Sequence, residues 1–387
     1  MNTIFQKYLT GDRVIWVITI LLSLFSVLIV YSSTSQLSYK FRDGNTEAFV
    51  LKHGMIILFG FLLMYYLHKV KLNYFSRISQ FSIVVSVVLL CLVLVMPSGN
   101  RAAARWLFGF QPSDLAKISL LVYLARELSM NKDELKSFKV FMIKIVAPIA
   151  LICALILPAD LSTSAMLFVD CLVLVFISTV SVKHVFGMLG LAIGGFLFIL
   201  LIGTVKPNLL PRAATWSSRI AAFAGGDEVE DSADKNYQTD IAKAGIARGG
   251  LRGTGPSKSS VKNILPSAWA DFIFAIFIEE YGSILGGVFL ILLYLIILYR
   301  VIVIAKNSMS DFGAYLAFGL GFSIVFQAFL NMGVSVNILP VTGQPLPLVS
   351  MGGTSILFTC VAFGLILGVS REAQMNSKNK NKEDYAS

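Results

Sequence analysis

The sequence predicts an all-α, polytopic membrane protein with ten transmembrane helices and one large extracytoplasmic loop between helices 7 and 8. Three observations carry the class. Of 387 residues, 56% are hydrophobic and 14% charged, with a mean hydropathy of +0.76. A soluble chain of this length would split into two or three domains and carry more charge. The apolar residues fall in runs long enough to cross a bilayer as helix, which takes roughly 20 residues. These runs lack the period-two alternation of barrel strands, so helices are left to satisfy the backbone in lipid.

The spans follow in order. The first is Val14–Ser33, after a mostly polar N-terminal dozen, and no cleavable signal peptide is recognised, so it is expected to act as its own insertion signal. A polar loop, Thr34–Lys52, holds a turn at Asp43-Gly-Asn-Thr46. The second span is His53–Leu67 and the third Phe81–Met96, separated by a basic loop and ended by Pro97-Ser-Gly-Asn100. Pro112-Ser-Asp114 reads as a helix start, since Pro suits the first turn and Asp favours the positive N-terminus. That fourth helix reaches Leu128. Asp114 and Lys117, three apart, share a face and can pair. A lysine so deep in an apolar helix needs a partner or a wet cavity.

The fifth span is Val140–Leu157, the sixth Ser162–Val180 after Pro158-Ala-Asp160, and the seventh Val185–Ile202. Residues 204–270 form the long polar loop, and loops of that length are functional or disordered. Its aromatic residues and the apolar Leu209–Ile220 region argue for partial order. The eighth helix is expected from Asp271 to Ile304, roughly 50 Å at 1.5 Å per residue. That exceeds one bilayer, so it must tilt, bend near Gly282 or project. The ninth span is Phe312–Val336. The stretch Asn337–Gly353 is too rich in Pro and Gly for helix and too apolar for a solvent loop, so it reads as re-entrant or cavity-lining. The tenth span is Thr354–Val369. Residues 1–375 thus make one transmembrane domain, and 376–387 a charged tail expected to be disordered.

Lys and Arg cluster in the even-numbered connections and the tail, which puts both termini in the cytoplasm and the long loop outside. The same distribution explains the net charge of +10 without nucleic acid, since no basic patch is interleaved with aromatics. Cys91, Cys153, Cys171 and Cys360 lie in apolar runs and read as small hydrophobes. Neither they nor His53, His68 and His184 have metal-site spacing, so no protein metal site is expected.

Asp271 is the candidate centre, an ionisable residue at the mouth of an apolar helix beside the long loop. It could simply stabilise the helix dipole, worth ~0.3–1 kcal/mol. Its apolar surroundings would instead suit a carboxylate to general-base work near neutral pH. Glu279 and Glu280 are adjacent and point to different faces, so at most one shares a face with Asp271. One is expected to cap or pair and the other to line a wet cavity. The basic residues of the loop, among them Arg212, Arg219, Lys258 and Lys262, would suit a phosphate-bearing substrate. Gly249-Gly-Leu-Arg-Gly-Thr-Gly255 could turn backbone N–H groups toward phosphate but follows no nucleotide pattern, and a flexible loop is the plainer reading.

Four blocks carry a resemblance to a known family. They are Arg105-Trp with Gln111-Pro-Ser-Asp-Leu-Ala-Lys117; Pro158-Ala-Asp-Leu-Ser-Thr163; Tyr237-Gln238 through Gly249–Gly255, Asp271-Phe-Ile-Phe-Ala and Glu279-Glu-Tyr-Gly282; and Asn331-Met-Gly with Leu339-Pro-Val-Thr-Gly-Gln-Pro-Leu-Pro-Leu-Val-Ser350-Met-Gly-Gly-Thr-Ser355. In this order they span nearly the whole chain, which resembles the SEDS family of FtsW and RodA, the FtsW branch more closely. The resemblance implies ten transmembrane helices and a peptidoglycan glycosyltransferase that polymerises lipid II outside the cytoplasmic membrane. The family's essential carboxylate falls on Asp271, and its paired acid and lysine fall on Asp114 and Lys117. Candidates for the substrate pocket are Arg105, Asp114, Lys117, Asp160, Arg212, Arg219, Gln238, Lys258, Lys262, Glu279, Glu280 and Ser350. The family usually has Glu at 114, Gly at 162 and often Tyr at 351, so cavity geometry is expected to differ. A divalent cation, Mg or Mn, could assist the pyrophosphate leaving group. The implied partners are lipid II, a class B penicillin-binding protein and other division or elongation membrane proteins. A lipid II flippase and a non-catalytic scaffold are the rival readings.

Overall fold

The computed structural model describes residues 9–34, 46–96, 106–107, 109–205, 230–265 and 268–384. Its long helices are α1 (Arg13–Ser33), α2 (Thr46–Leu67), α3 (Leu72–Val95), α4 (Pro112–Met130), α5 (Phe138–Ile156), α6 (Leu161–Ile177), α7 (Val182–Val205), α8 (Glu230–Gly249), α9 (Ile273–Lys306), α10 (Asp311–Ser335) and α11 (Gly353–Asp384). Among the described residues there is no strand, only an isolated bridge between Leu107 and Phe110. Seven of these helices are long and apolar enough to cross a membrane; α6 and the Val182–Phe198 part of α7 are shorter apolar helices. The chain is a multi-pass, all-α membrane protein.

Local chemistry sets the helix starts. Asp12 caps α1 by accepting from the N–H groups of Val14 and Ile15 at 2.9 and 3.1 Å. Pro112 occupies the first turn of α4, with Asp114 beside it. Asp160 caps α6 through the Thr163 N–H at 3.1 Å, and Ser310 caps α10 through the Gly313 N–H at 3.1 Å.

The most buried helices are α10 and α11, with 67% and 72% of their apolar windows buried, against 22% for α2 and α3. They form the core, on which α2, α4, α6 and α9 pack. Small residues permit close approach: a Cβ on Gly60 of α2 would sit 2.7 Å from Cys360 Sγ of α11. Large apolar side chains such as Leu24, Leu58, Phe59, Phe81 and Val88 point outward, as lipid-facing residues should.

Two sequence expectations gain detail and one needs correction. Residues 230–249 of the long loop form α8, while Leu209–Ile220 lies outside the described residues. Helix α11 runs past the tenth span to Asp384. The eighth span is not one helix from Asp271. A one-turn helix, Ala268–Asp271, stops at Phe272, and α9 begins at Ile273. The expected bend at Gly282 is present as φ +82° followed by a π turn, Ser283–Val288.

Candidate active site

The turn that carries Asp271 is held by its backbone. Three successive carbonyls, from Trp269, Ala270 and Asp271, have no helix to continue into, and each is met by another part of the chain. The Met351 N–H donates to Trp269 O at 3.1 Å. Ser350 Oγ donates to Ala270 O at 2.7 Å. Asn331 Nδ2 donates to Asp271 O at 3.0 Å. Buried carbonyls without partners would be costly in such a place. Asp271 is half-buried and makes a further interaction.

Asn331 belongs to α10, and Ser350 and Met351 to the irregular stretch 337–352, which is itself pinned from several sides. Asn331 also donates to Gln344 O at 2.8 Å, and the Gln344 amide donates to Thr163 Oγ1 at 2.8 Å. Tyr294 donates to Pro347 O at 2.5 Å. Ser350 Oγ accepts from the Leu346 N–H at 2.8 Å. Ser26 of α1 donates to Val349 O at 2.9 Å and lies 2.7 Å from His53 Nε2. Its one proton is committed to Val349, so His53 carries the proton on Nε2 and donates to Ser26. Non-helical backbone at membrane depth is tolerated where protein satisfies it in this way.

Asp114 and Lys117 line one small cavity of about 20 Å³ but make no direct ion pair. Asp114 Oδ2 accepts from Thr354 Oγ1 at 3.1 Å, and Lys117 Nζ donates to Gln327 Oε1 at 2.7 Å. The expected contact is thus replaced by two contacts to neighbouring helices, in keeping with the short arm of Asp114. Asp160 is occupied as the cap of α6.

Glu279 and Glu280 sit apart from this turn, both fully buried on α9. Glu279 accepts from Ser259 Oγ, from the Ser260 N–H and Oγ at 2.9 and 2.7 Å, and from the Val261 N–H at 3.2 Å. Glu280 accepts from Ser32 Oγ and lies 3.7 Å from the buried Lys262 ammonium, which also donates to Ser257 O at 2.7 Å. Both acids fasten the 257–262 segment onto α9. Gln238 is half-buried on α8 and Lys258 is exposed after Gly255. Arg105, Arg212 and Arg219 lie outside the described residues.

The glycine-rich stretch has a structural use. Gly282 breaks α9, which leaves carbonyls of the preceding turn free. The N–H groups of Thr254 and Gly255 donate to Glu279 O and Glu280 O at 2.9 and 3.0 Å. A Cβ on Gly249 would sit 2.4 Å from Ile278 O, and one on Gly253, at φ +82°, 2.3 Å from Glu280 O. The glycines therefore let two backbones touch, and these N–H groups are not available to phosphate. Sequence reasoning missed Ser26, Asp170, Ser323 and Gln327. Asp170 offered a signal: it is an acid in the middle of an apolar run.

The broken helix, the pinned 337–352 stretch and Asp271 occur in a chain of which residues 12–375 match the FtsW/RodA/SpoVE family, described as a cell cycle protein. The chain belongs to that family. The probable peptidoglycan glycosyltransferase FtsW of Haemophilus influenzae is 30% identical over 380 residues, covering 96% of this chain and 92% of that protein. Stage V sporulation protein E of Bacillus subtilis is 30% identical over 378 residues, covering 94% and 98%. A chain from a peptidoglycan synthase complex that coordinates polymerization and crosslinking superposes with a TM-score of 0.72 at 24% identity, covering 94% and 98%. The FtsW/RodA/SpoVE fold thus extends over nearly the whole of the described chain.

Proposed function

We propose that this protein is a peptidoglycan glycosyltransferase that polymerises lipid II at the outer face of the bacterial cytoplasmic membrane, in septal synthesis. The reading is supported by the hydrogen-bonded Asp271 turn, on which the sequence resemblance puts the family's essential carboxylate, in a chain whose relatives are named probable peptidoglycan glycosyltransferases. RodA-like elongation is the alternative subgroup.

The topology that fits has ten spans, α1 to α7 and α9 to α11, with both termini cytoplasmic. In support, the Asp12–Arg300 and Lys132–Asp311 pairs and the Arg371–Lys69 contact (2.7 Å) gather at one end, where α1 begins and α9 ends. Asp271 lies at the other end of α9. The positive-inside rule makes the basic end cytoplasmic.

In the reaction, the acceptor sugar's 4-hydroxyl oxygen attacks the anomeric carbon of the donor from the face opposite the pyrophosphate. The C–O bond to pyrophosphate breaks as the new β-1,4 bond forms, and Asp271 takes the hydroxyl proton. The leaving undecaprenyl pyrophosphate retains the bond electrons, and cationic side chains stabilise its charge. Among the described residues no group of three or more His, Cys, Asp or Glu could hold a metal ion. A divalent cation would thus arrive with the pyrophosphate. A class B penicillin-binding protein is the partner that would cross-link the strands, and other division proteins would join them.

The deciding experiment is lipid II polymerisation by purified protein, with and without the transpeptidase, comparing wild type with Asp271→Asn. Glycan chains from wild type alone are expected. Full activity in a folded Asp271→Asn would move the base elsewhere. Lipid II transport across liposomes without polymerisation would favour the flippase, and partner binding without either activity the scaffold.

A further inference from the structure

We propose that a polar stripe on α10, Ser323, Gln327 and Asn331, is the positioning spine of the active site, and that Lys117 works through it rather than on substrate. The three residues are four apart, so they share one face of α10 over about 12 Å. All three are buried, at 2%, 3% and 1% exposure. Each meets a different ionisable residue of another element. Ser323 Oγ donates to Asp170 Oδ2 of α6 at 2.6 Å. Gln327 Oε1 accepts from Lys117 of α4 at 2.7 Å, and its Nε2 donates to Pro345 O at 2.9 Å. Asn331 Nδ2 donates to both Gln344 O and Asp271 O.

Side-chain amides in the core of an apolar bundle are unfavourable unless their donors are used. Here they are used in one direction, toward the stretch that frames Asp271. Two carbonyl acceptors fix the orientation of the Asn331 amide, and the Lys117 ammonium fixes that of Gln327. A cation on Oε1 polarises the amide and strengthens the Nε2–H bond to Pro345. Pro345 adjoins Gln344, the second acceptor of Asn331. The charge of Lys117 is therefore spent on holding the frame, and a chain of contacts runs from α4 to the Asp271 carbonyl. This inference rests on Asp271 as the base.

The test is a double-mutant cycle on lipid II polymerisation by the full chain in complex with its transpeptidase. Lys117→Met and Gln327→Met are each expected to lower kcat by about tenfold or more, with KM within about twofold. The double variant should be no slower than the slower single, as residues acting through one contact are coupled. Gln327→Glu keeps the acceptor for Lys117 and loses the donor to Pro345, so it should also lose kcat. Asn331→Asp sets an oxygen against two carbonyl oxygens and should behave likewise. Multiplicative losses in the double variant would overturn the proposal, as would a KM rise of about tenfold for Lys117→Met at unchanged kcat. If Gln327→Met does not fold, Gln327→Glu and Asn331→Asp decide by the same criterion: an unchanged kcat in either refutes the spine. Asp271→Asn is assayed alongside. An active Asp271→Asn removes the base reading, whereas an inactive one with an additive cycle removes the spine alone.

Discussion

Lys262 separates a substrate ligand from a structural cation. Its ammonium is buried, 3.2 Å from Ser32 Oγ, 2.7 Å from Ser257 O and 3.7 Å from Glu280. Glu280 Oε2 has no hydrogen-bond partner, so the acid depends on what surrounds its other oxygen. Lys262→Met removes the one cation near Glu280 among the described ion pairs. Breaking a buried pair from one side costs about 3–5 kcal/mol. At about 1–2 °C per kcal/mol for a chain of this length, extending the usual size scaling, melting in detergent should fall by about 3–10 °C. Protease should then cut within residues 250–262, because the Ser257 carbonyl contact is lost as well. Adding Glu280→Gln should restore most of the loss, since removing both charges is close to neutral. The measurements are thermal unfolding, limited proteolysis and polymerisation kinetics on the single and double variants. An unchanged melting temperature and protease pattern, with KM for lipid II raised, would refute this reasoning and make Lys262 a substrate contact.

Other substitutions have equally definite outcomes. Gly253→Ala should undo the docking of the glycine-rich segment on α9, since its Cβ would meet Glu280 O at 2.3 Å, whereas Gly255→Ala has nothing nearer than 3.6 Å and should cost only backbone strain of about 1–3 kcal/mol; limited proteolysis compares them. Asp12→Ala should lower the melting temperature more than Arg300→Met, because it removes the α1 cap, worth about 1 kcal/mol, as well as the ion pair. His68, buried between α2 and α3 against Trp16 and Tyr65, has its pKa lowered by burial and then by the nearby Arg371 and Lys69. The unfolded chain therefore binds this proton more readily, and stability should fall as pH drops below about 6.5. His68→Phe should flatten the acid side of the melting profile.

The helices were legible because hydrophobic run length is a strong signal, and Pro112, Asp160 and Gly282 mark starts and breaks by their own chemistry. That 337–352 is irregular yet largely covered by protein was legible for the same reason: Pro and Gly forbid helix while the apolar residues disfavour solvent. Tertiary pairing was not. Nothing local tells that Lys117 reaches Gln327, 210 positions away, in preference to Asp114 one turn away. Nor does composition separate a glycine that faces phosphate from one that faces a carbonyl. The helix α8 was hidden because its polar sequence, rich in Asp, Lys and Gly, reads as loop until its glycines meet α9.

The Asp271 turn that precedes the ten-residue helix Ile273–Gly282 and the Gly282 end of that helix are both held by other parts of the chain. On the Asp271 side, carbonyls 269–271 are met by residues 331, 350 and 351. On the Gly282 side, carbonyls 279 and 280 are met by Thr254 and Gly255. The turn is thus tied to α10 and to the 337–352 stretch, and the far end of the helix to the segment that follows α8. That closure has a consequence for the chemistry. The backbone donors nearest the glycine-rich segment are committed to α9, so on the proposed mechanism the pyrophosphate charge falls to side chains. Arg252 and Lys258 are exposed there, and Arg248, 57% exposed, lies 3.6 Å from Glu279 at the same rim. On that mechanism the half-buried Lys117 and the buried Lys262 would hold the frame, and the exposed cations Arg248, Arg252 and Lys258 would meet the phosphates.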